Sequence, residues 1–269
     1  MSNSGSQAKV VDLNGKELET VSLPKVFRVP VREDVIWRAF VALDSHKRSV
    51  QGRDPLAGER TTAETSNPPT GRGISRIPRV KGERYSKSGM AGGVASIVHG
   101  RLPFPPRSEK VTKKNINEKE RRLAIASAIA ATADQAFVIK HGHVFKGDLP
   151  IVVSDDVEKL AKVRDLKRFL GSIGASGELE RLTSRARKQN PNLARIRRNA
   201  TGPLFVVSNS SILKGALKSV AGVSVVRGSD LSVLDLAPGS SPGRLTIWSK
   251  SALSSLPKQI LEIGEKHAS

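Results

Sequence analysis

The sequence predicts a three-layer α/β fold with a mainly parallel central sheet and one long, extended internal loop. Two observations lead to this prediction. Short apolar strands alternate with helical segments in the second half of the chain, which is typical of a parallel sheet covered on both faces. A long run rich in glycine, proline and positive charge interrupts the first half. We expect a globular α/β body from residues 1–51 and 111–269 and an inserted loop from residues 52–110.

The first predicted element is a β-hairpin. Residues 9–13 and 17–23 alternate apolar with polar side chains around Asn14 and Gly15. This residue pair suits the positive φ angles of a type I′ turn. We expect a small ribbon at the edge of the sheet.

Two helices are predicted on either side of the loop. Apolar residues recur at helical spacing from residue 32 to about 50, so a helix should run up to Gly52. After the loop, Asn117 can cap a helix together with Glu120 three positions on. The following sequence, ERRLAIASAIAATAD, is so rich in alanine that we expect a buried helix with closely approaching neighbours.

The remaining strands and helices follow from short apolar runs and helical periodicity. Predicted strands are residues 150–153, 204–207, 223–226 and 245–248. Predicted helices are residues 157–170, a segment through Leu213 and Leu217, and residues 251–264. Strands and helices in this order complete the α/β body.

The predicted loop cannot build a core of its own. Between residues 66 and 110 apolar side chains are scattered singly, and six prolines remove backbone donors. The positive residues there are Arg72, Arg76, Arg79, Lys81, Arg84, Lys87, Arg101, Arg107 and Lys110, against Glu83 and Glu109. Loops beyond about 12–15 residues without structure of their own are usually functional or disordered. The two interpretations are a disordered insertion without a partner and a segment that orders against a polyanion.

Residue types in the loop favour folded RNA as that polyanion. Arginines 72, 76 and 79 suit bidentate phosphate contacts, and glycines let the backbone approach a ligand closely. Tyr85, His99 and Phe104 could stack on unpaired nucleotides. DNA grooves are usually read by a helix or ribbon, which we do not expect this loop to form.

A second basic cluster lies in the second half of the chain. It consists of Arg181, Arg185, Arg187, Lys188, Arg195, Arg197 and Arg198. No acidic residue occurs between Arg181 and Gly202, which favours a phosphate anchor over a solvated helix face.

Composition restricts the class of protein. The formal net charge is +20 and the pI is about 10.6, which indicates nucleic acid or an anionic membrane surface as the partner. No apolar run approaches the roughly 18 residues of a membrane-spanning helix, and the first residues show a hairpin pattern where a signal peptide would have an apolar middle. The chain has no cysteine, hence no disulfide and no thiolate site. We expect a soluble, intracellular protein without a membrane partner.

Motifs for catalysis or cofactor binding are weak. Glycines 171, 174 and 177 fit neither a dinucleotide fingerprint nor a P-loop and are better explained as helix ends and turns. Asp155 and Asp156 follow a strand, the usual place of an α/β active site, but helix capping after Ser154 explains them more simply. His141 and His143 are expected on the surface of a turn rather than on a metal. We therefore expect no enzyme activity, no cofactor and no metal.

Two further motifs carry a family resemblance. They are TGRGISRIPRV at residues 70–80 and LAPGSSPGRLTIWSKSAL at residues 236–253. In this order they resemble the archaeal and eukaryotic branch of the large-subunit ribosomal protein four family, and the resemblance covers essentially the whole chain. Eukaryotic members carry a long carboxyl extension, whereas this sequence stops at Ser269, which favours an archaeal-type member.

The resemblance implies a cytoplasmic protein of the large ribosomal subunit with three partners: 23S-type ribosomal RNA (rRNA), neighbouring ribosomal proteins, and the nascent polypeptide in the exit tunnel. It implies a body on the subunit surface and a loop that penetrates the rRNA. The predicted rRNA-binding residues are Arg72, Arg76, Arg79, Lys81, Arg84, Lys87, His99, Arg101, Arg107, Arg181, Arg185, Arg187, Lys188, Arg195, Arg197 and Arg198. The predicted tunnel-facing tip comprises Lys81, Gly82, Glu83, Arg84, Tyr85, Ser86, Lys87, Ser88, Gly89 and Met90.

Two alternatives of other classes remain. An RNA-modifying, methyltransferase-like α/β enzyme would need a glycine-rich cofactor loop after its first parallel strand, where this chain has SDDVEKL. A DNA-compacting protein should bind duplex DNA as well as it binds rRNA.

Overall fold

A computed structural model of the chain describes residues 7–65, 67–82, 86–187, 201–209, 211–217, 220 and 222–267. It divides into two compact units. The first, Met1–Ser45 with Lys114–Ser269, is called the body, and the second, His46–Lys113, is called the basic segment. The predicted loop, residues 52–110, lies within the basic segment, and its bounds stay a prediction.

The body contains strands and helices in alternation. Its strands are β1 (Gln7–Val11), β2 (Glu17–Ser22), β5 (Ile151–Val153), β6 (Leu204–Val207), β7 (Ser224–Arg227) and β8 (Thr246–Ser249). Its α-helices are α1 (Glu33–Ser45), α2 (Glu118–Thr132), α3 (Gln135–Lys140), α4 (Val163–Ser172), α5 (Ser176–Arg187), α6 (Ser211–Leu217), α7 (Val233–Leu236), α8 (Lys250–Ser254) and α9 (Lys258–His267). The basic segment contributes β3 (Ala63–Glu64) and β4 (Arg79–Val80).

The six body strands form one sheet in the order β2-β1-β5-β8-β6-β7. Every neighbouring pair is parallel except the β1–β2 hairpin. The predicted mainly parallel sheet is confirmed. The predicted edge ribbon is also present, with β2 at the sheet edge and β1 paired to β5.

Helices cover both faces of this sheet. On one face Val152 and Trp248 pack with residues of α1, α2, α7, α8 and α9. On the other face Ile151, Val153 and Phe205 pack with residues of α3, α4 and α6. Successive strand residues point to opposite faces, so these short apolar strands supply both cores. The three-layer α/β prediction is confirmed.

The alanine-rich helix α2 is buried as predicted. All of its residues from 124 to 132 are buried, and the Ser127 hydroxyl donates to the Pro30 carbonyl at 3.3 Å. The predicted capping box is wrong: Asn117 occupies the N-cap position, but its side chain makes no capping hydrogen bond. Glu120 instead forms an ion pair with Arg38 of α1, at 2.9 Å.

Two predictions near the N-terminus are corrected. Gly15 has a φ of +81°, but Asn14 does not have a positive φ, so the hairpin turn is not type I′. The Gly15 N–H donates to the Asp12 carbonyl at 3.0 Å, and glycine then provides the left-handed position that closes the turn. Helix α1 ends at Ser45 rather than near residue 50, and the buried Ser45 hydroxyl there accepts a hydrogen bond from the Lys114 N–H at 2.9 Å, which fixes the helix end against the returning chain.

Two predicted helices are interrupted. Residues 157–170 form a 3₁₀ turn, Asp155–Lys159, followed by α4, because Leu160 adopts an extended conformation with ψ of 110°. The predicted helix 251–264 is split into α8 and α9 at Pro257, which cannot donate a backbone hydrogen bond. Among the described residues, no helix has the length and apolar character needed to cross a membrane.

Candidate nucleic-acid interface

The basic segment is distinguished by charge and by exposure. Between residues 46 and 113 the sequence has fourteen Lys or Arg residues against five Asp or Glu. Neither hydrophobic core includes a described residue of this segment. This part of the chain therefore gains little from hydrophobic burial, and its positive charges lie at the surface.

A small ribbon organises the middle of the segment, residues 63–92. Strand β3 pairs antiparallel with β4, and Arg79 of β4 also bridges to Ala91. The Val80 N–H donates to the Met90 carbonyl at 2.8 Å, which folds the chain back at the predicted tip. A Cβ on Gly92 would lie 2.9 Å from the Ala63 Cβ, so glycine permits this close approach. The expectation that the segment forms no ribbon is wrong, because two-residue strands carry no detectable sequence pattern.

The chain runs to the predicted tip along an ingoing pass and returns along an outgoing pass. Near the two ends of the segment, these two passes lie side by side. The Arg53 N–H donates to the Pro106 carbonyl at 2.9 Å. Gly58 has a φ of +86°, and a Cβ there would lie 2.5 Å from the Arg101 nitrogen. The backbone itself is thus the contact surface between the two passes, which keeps this region narrow.

Several of the predicted RNA-binding cations have no partner among the residues that the structure describes. Arg72, Lys87, Arg101 and Arg107 are exposed. Within the described part of the chain their side chains make no ion pair or hydrogen bond. Arg76 is also exposed, with one long contact of 3.5 Å to the Thr70 hydroxyl. These guanidinium and ammonium groups are available to bind phosphate.

Two predicted residues support the ribbon. Arg79 is half-buried, and its Nη1 donates to the Gly89 carbonyl at 2.9 Å. Lys81 forms an ion pair with Glu64 of β3, in which both side chains are largely exposed. Exposed ion pairs contribute about 0–1 kcal/mol, so Lys81 can exchange this partner for a phosphate.

The predicted tip is only partly described. Lys81, Gly82, Ser86, Lys87, Ser88, Gly89 and Met90 are all exposed. Glu83, Arg84 and Tyr85 lie outside the described residues. Farther along the segment, His99 and Phe104 are exposed too, Phe104 to 94%.

The second basic cluster begins with an arginine that is already paired. The Arg181 guanidinium donates from Nε to Glu178 Oε2 at 2.8 Å and from Nη2 to the Thr201 carbonyl at 2.5 Å. Arg185 and Arg187 lie at the end of α5, and their side chains are not described. Lys188, Arg195, Arg197 and Arg198 lie outside the described residues.

His143 and its neighbours form a buried polar cluster, so the prediction of two surface histidines is wrong for His143. His143 Nδ1 lies 2.7 Å from Glu178 Oε1, and both side chains are fully buried. Burial alone would raise the pKa of Glu178, but hydrogen bonds from His143 and Arg181 outweigh it and lower that pKa to about 2. His141 stacks on His143 with ring centroids 5.0 Å apart, and burial together with the His143 charge lowers the His141 pKa to about 4.

At the carboxyl ends of the parallel strands, where α/β enzymes place their active sites, Glu158 is hydrogen-bonded to the ends of β6 and β8. Its carboxylate accepts hydrogen bonds from the Ser208 N–H at 2.7 Å, the Asn209 N–H at 3.0 Å and the Ser249 hydroxyl at 2.9 Å. Asp155 accepts from the Ser251 N–H at 2.8 Å rather than capping its own helix. Among the described residues, no group of three or more His, Cys, Asp or Glu side chains could hold a metal ion.

Sequence reasoning missed the structural role of Arg244. It is 6% exposed, and burial lowers its pKa to about 10. Its guanidinium donates to the Gly202 and Asp235 carbonyls, both at 2.8 Å, and to the Ser224 hydroxyl at 2.6 Å. Its place in the GRLTIW motif, directly before a buried strand, was the available signal.

Comparison with known proteins agrees with the resemblance. The model of the ribosomal protein L4/L1 family matches residues 21–259. Similar curated proteins include the large ribosomal subunit protein uL4 of Saccharolobus solfataricus, 41% identical over 94% of this chain and 95% of its own length. The proteins of the same name from Sulfolobus acidocaldarius and Sulfurisphaera tokodaii are 42% and 41% identical, each over 93% of both chains. These relatives are archaeal, as the resemblance implied. The chain therefore belongs to the ribosomal protein L4/L1 family.

Proposed function

We propose that this protein is a structural constituent of the large ribosomal subunit whose basic segment binds large-subunit rRNA, supports subunit assembly and lines part of the nascent-peptide exit tunnel. Membership of the family supports a structural role in the large subunit, which is cytoplasmic. The finer assignments to rRNA and to assembly rest on the physical properties of the basic segment, and the assignment to the tunnel follows from the family resemblance.

The observation that carries the proposal is a set of exposed cations that have no partner among the described residues, on a narrow stretch of chain whose described residues lie outside both hydrophobic cores. Folding of a large RNA brings phosphates together, and their repulsion must be compensated where the helices meet. A narrow cationic strand can enter gaps that a globular domain cannot enter, and each neutralised phosphate releases counterions. Arginine adds bidentate phosphate contacts and stacking on bases.

The predicted residues would divide this work by position. Arg72 and Arg76 on the ingoing pass and Arg101 and Arg107 on the outgoing pass would contact phosphates directly. Arg79 and Lys81 would do so while holding the ribbon. Arg181 would contribute less to phosphate binding, because its guanidinium already donates hydrogen bonds to Glu178 and to the Thr201 carbonyl. The rest of the predicted rRNA-binding set would contribute phosphate or base contacts from both clusters: Arg84, Lys87, His99, Arg185, Arg187, Lys188, Arg195, Arg197 and Arg198.

The predicted tip, residues 81–90, would reach the exit tunnel. The exposed residues next to Lys87 and Met90 in this tip are serine and glycine, whose small side chains suit a wall that a nascent chain must pass. The body would lie toward the subunit surface and contact neighbouring ribosomal proteins. No step of this function requires a bond to be made or broken.

Deletion of residues 71–100 tests the proposal. The variant should bind large-subunit rRNA more weakly and should stall late assembly of the subunit, while its circular dichroism spectrum and unfolding midpoint stay those of the intact body. Binding would be measured by filter retention and assembly by sedimentation. Normal assembly of the deletion variant into subunits would contradict the proposal.

The enzyme alternative is tested separately. An RNA-modifying enzyme should bind a methyl-donor cofactor at the carboxyl ends of the strands, where Glu158 accepts hydrogen bonds from the Ser208 N–H and the Ser249 hydroxyl in this protein. A cofactor titration followed by calorimetry should give no heat of binding, and saturable binding would favour the alternative.

A further inference from the structure

We propose that a groove near the two ends of the basic segment, where its ingoing and outgoing passes meet, binds one unpaired nucleotide of the RNA. The base would stack on Phe104, and Arg107 and Lys110 would hold the phosphate. This inference rests on the proposed RNA-binding function and specifies what the segment binds at this point. It concerns the phenylalanine groove, defined by Phe104, Pro106, Arg107, Lys110 and Thr112 from the outgoing pass and Val50 from the ingoing pass.

The groove has the size of a small-molecule site. Its volume is about 660 Å³, within the range of about 300–1,000 Å³ that is usual for such sites. The hydrogen bond from the Arg53 N–H to the Pro106 carbonyl, at 2.9 Å, holds the two passes of chain together at this point. The groove is thus formed by paired backbone rather than by one isolated loop.

Phe104 presents its ring to solvent to an unusual degree. It is 94% exposed, whereas Phe27, Phe169 and Phe205 of the body are buried and pack against other rings. Pro103 and Pro105 flank it and fix the backbone φ on either side. Because the backbone on both sides of the exposed ring is already restricted, stacking of a base on this ring costs little backbone conformational entropy.

The charged side chains that line the groove are those of Arg107, Lys110 and Glu109, so the two cations outnumber the single carboxylate and leave a net positive charge for a phosphate. Arg107 and Lys110 are exposed and, within the described residues, have no side-chain partner. The Lys110 N–H donates to the Arg107 carbonyl at 3.3 Å, so one turn carries both cations.

A nucleotide fits these groups better than a peptide does. A peptide that binds by strand addition needs a row of backbone N–H donors. Pro103, Pro105 and Pro106 remove three of these donors from this stretch. The stacking ring and the two cations do not depend on backbone donors.

Substitutions at Phe104 test the stacking. With the full chain and a transcript of the large-subunit rRNA from the same genome, Phe104→Ala should weaken binding about ten- to a hundred-fold, as expected for loss of one base stack. Phe104→Trp should retain wild-type affinity, because tryptophan also stacks. Phe104→Leu should weaken binding nearly as much as alanine does, because leucine keeps an apolar side chain but has no π face. Val98→Ala is the matched control, since Val98 is also exposed, to 85%, and lies outside the groove.

The outcomes separate this inference from the proposed function. Wild-type affinity in Phe104→Leu or Phe104→Ala, with the wild type still binding the transcript, would overturn the groove inference and leave the proposed function standing. Failure of the wild type to bind the transcript would overturn the proposed function. A photoreactive benzoylphenylalanine at position 104 should crosslink to a single-stranded nucleotide in assembled subunits. A crosslink to a protein would overturn the inference instead.

Discussion

The body and the basic segment use the same residue types in opposite ways. In the body, Phe205 and Trp248 are fully buried, and the Arg244 guanidinium donates hydrogen bonds to backbone carbonyls of the body itself. In the basic segment, Phe104 faces solvent and Arg101 has no partner among the described residues. Burial and pairing, rather than residue type, therefore distinguish an arginine that stabilises the fold from one that is available for a ligand.

The largest effect that tests this comparison is expected at Arg244. Arg244→Ala should lower the free energy of unfolding by about 3–5 kcal/mol, because it leaves the buried Gly202 carbonyl and the half-buried Asp235 carbonyl without their donor. Urea unfolding followed by circular dichroism measures this. Arg101→Ala is the matched control, and its unfolding free energy should stay within about 0.5 kcal/mol of the wild type. Equal losses in the two variants would remove the distinction between the regions.

A second, smaller effect concerns the pH dependence of the body. The pKa of Glu178 is about 2 in the folded protein against an ordinary value of 4.5, so its contribution is fully present above pH 4.5 and is lost as the pH falls toward 2. This linkage is worth about 3 kcal/mol. Unfolding measured from pH 6 to pH 2 should show the loss in the wild type.

Glu178→Gln provides the control for this pH dependence. It should be less stable than the wild type at pH 6 and should show a flatter pH profile in the acid range. A profile parallel to that of the wild type would mean that the Glu178 cluster with His143 and Arg181 does not stabilise the body.

The smallest effect on stability, and a large one on binding, is expected in the basic segment. Replacement of Arg72, Arg76, Arg101 and Arg107 by Gln should leave the unfolding free energy unchanged. The slope of log Kobs against log salt for rRNA binding should become shallower by about 3, since each lost contact to single-stranded RNA removes about 0.7. Filter binding across a salt series measures this slope.

A set of body lysines controls for net charge. Lys16, Lys146, Lys167 and Lys258 are exposed residues of the body, and their joint replacement by Gln removes the same charge. This variant should keep most of the wild-type slope. An equal reduction in both variants would indicate that binding depends on total charge rather than on the basic segment.

Much of the body could be predicted from the sequence because its strands are short, continuous apolar runs. Strand β6 has the predicted bounds, and β7 and β8 lie within one residue of them. The short helices α3 and α7 were missed because four to six residues are too few to show a helical period. Helix breaks at Leu160 and Pro257 were missed because the periodic pattern continues across them.

The candidate interface was predictable in composition but not in pairing. An excess of cations without nearby acids predicts exposure, and the described arginines of the segment are largely exposed. The pairing of Arg244 was not predictable, because its acceptors come from residues 202, 222 and 235, which meet only in the folded sheet. The partner of Arg181 lies only three residues away, but the burial of Glu178 depends on His143 from a distant turn.

The central claim is that the basic segment becomes part of the rRNA fold while the body remains a self-contained α/β unit. A cryo-EM map of the large ribosomal subunit from the organism that encodes this chain tests it most directly. The account predicts continuous density for residues 66–110 inside the rRNA, with Arg72, Arg76, Arg101 and Arg107 within hydrogen-bond distance of phosphates. A segment lying on the subunit surface, or packed only against protein, would contradict it.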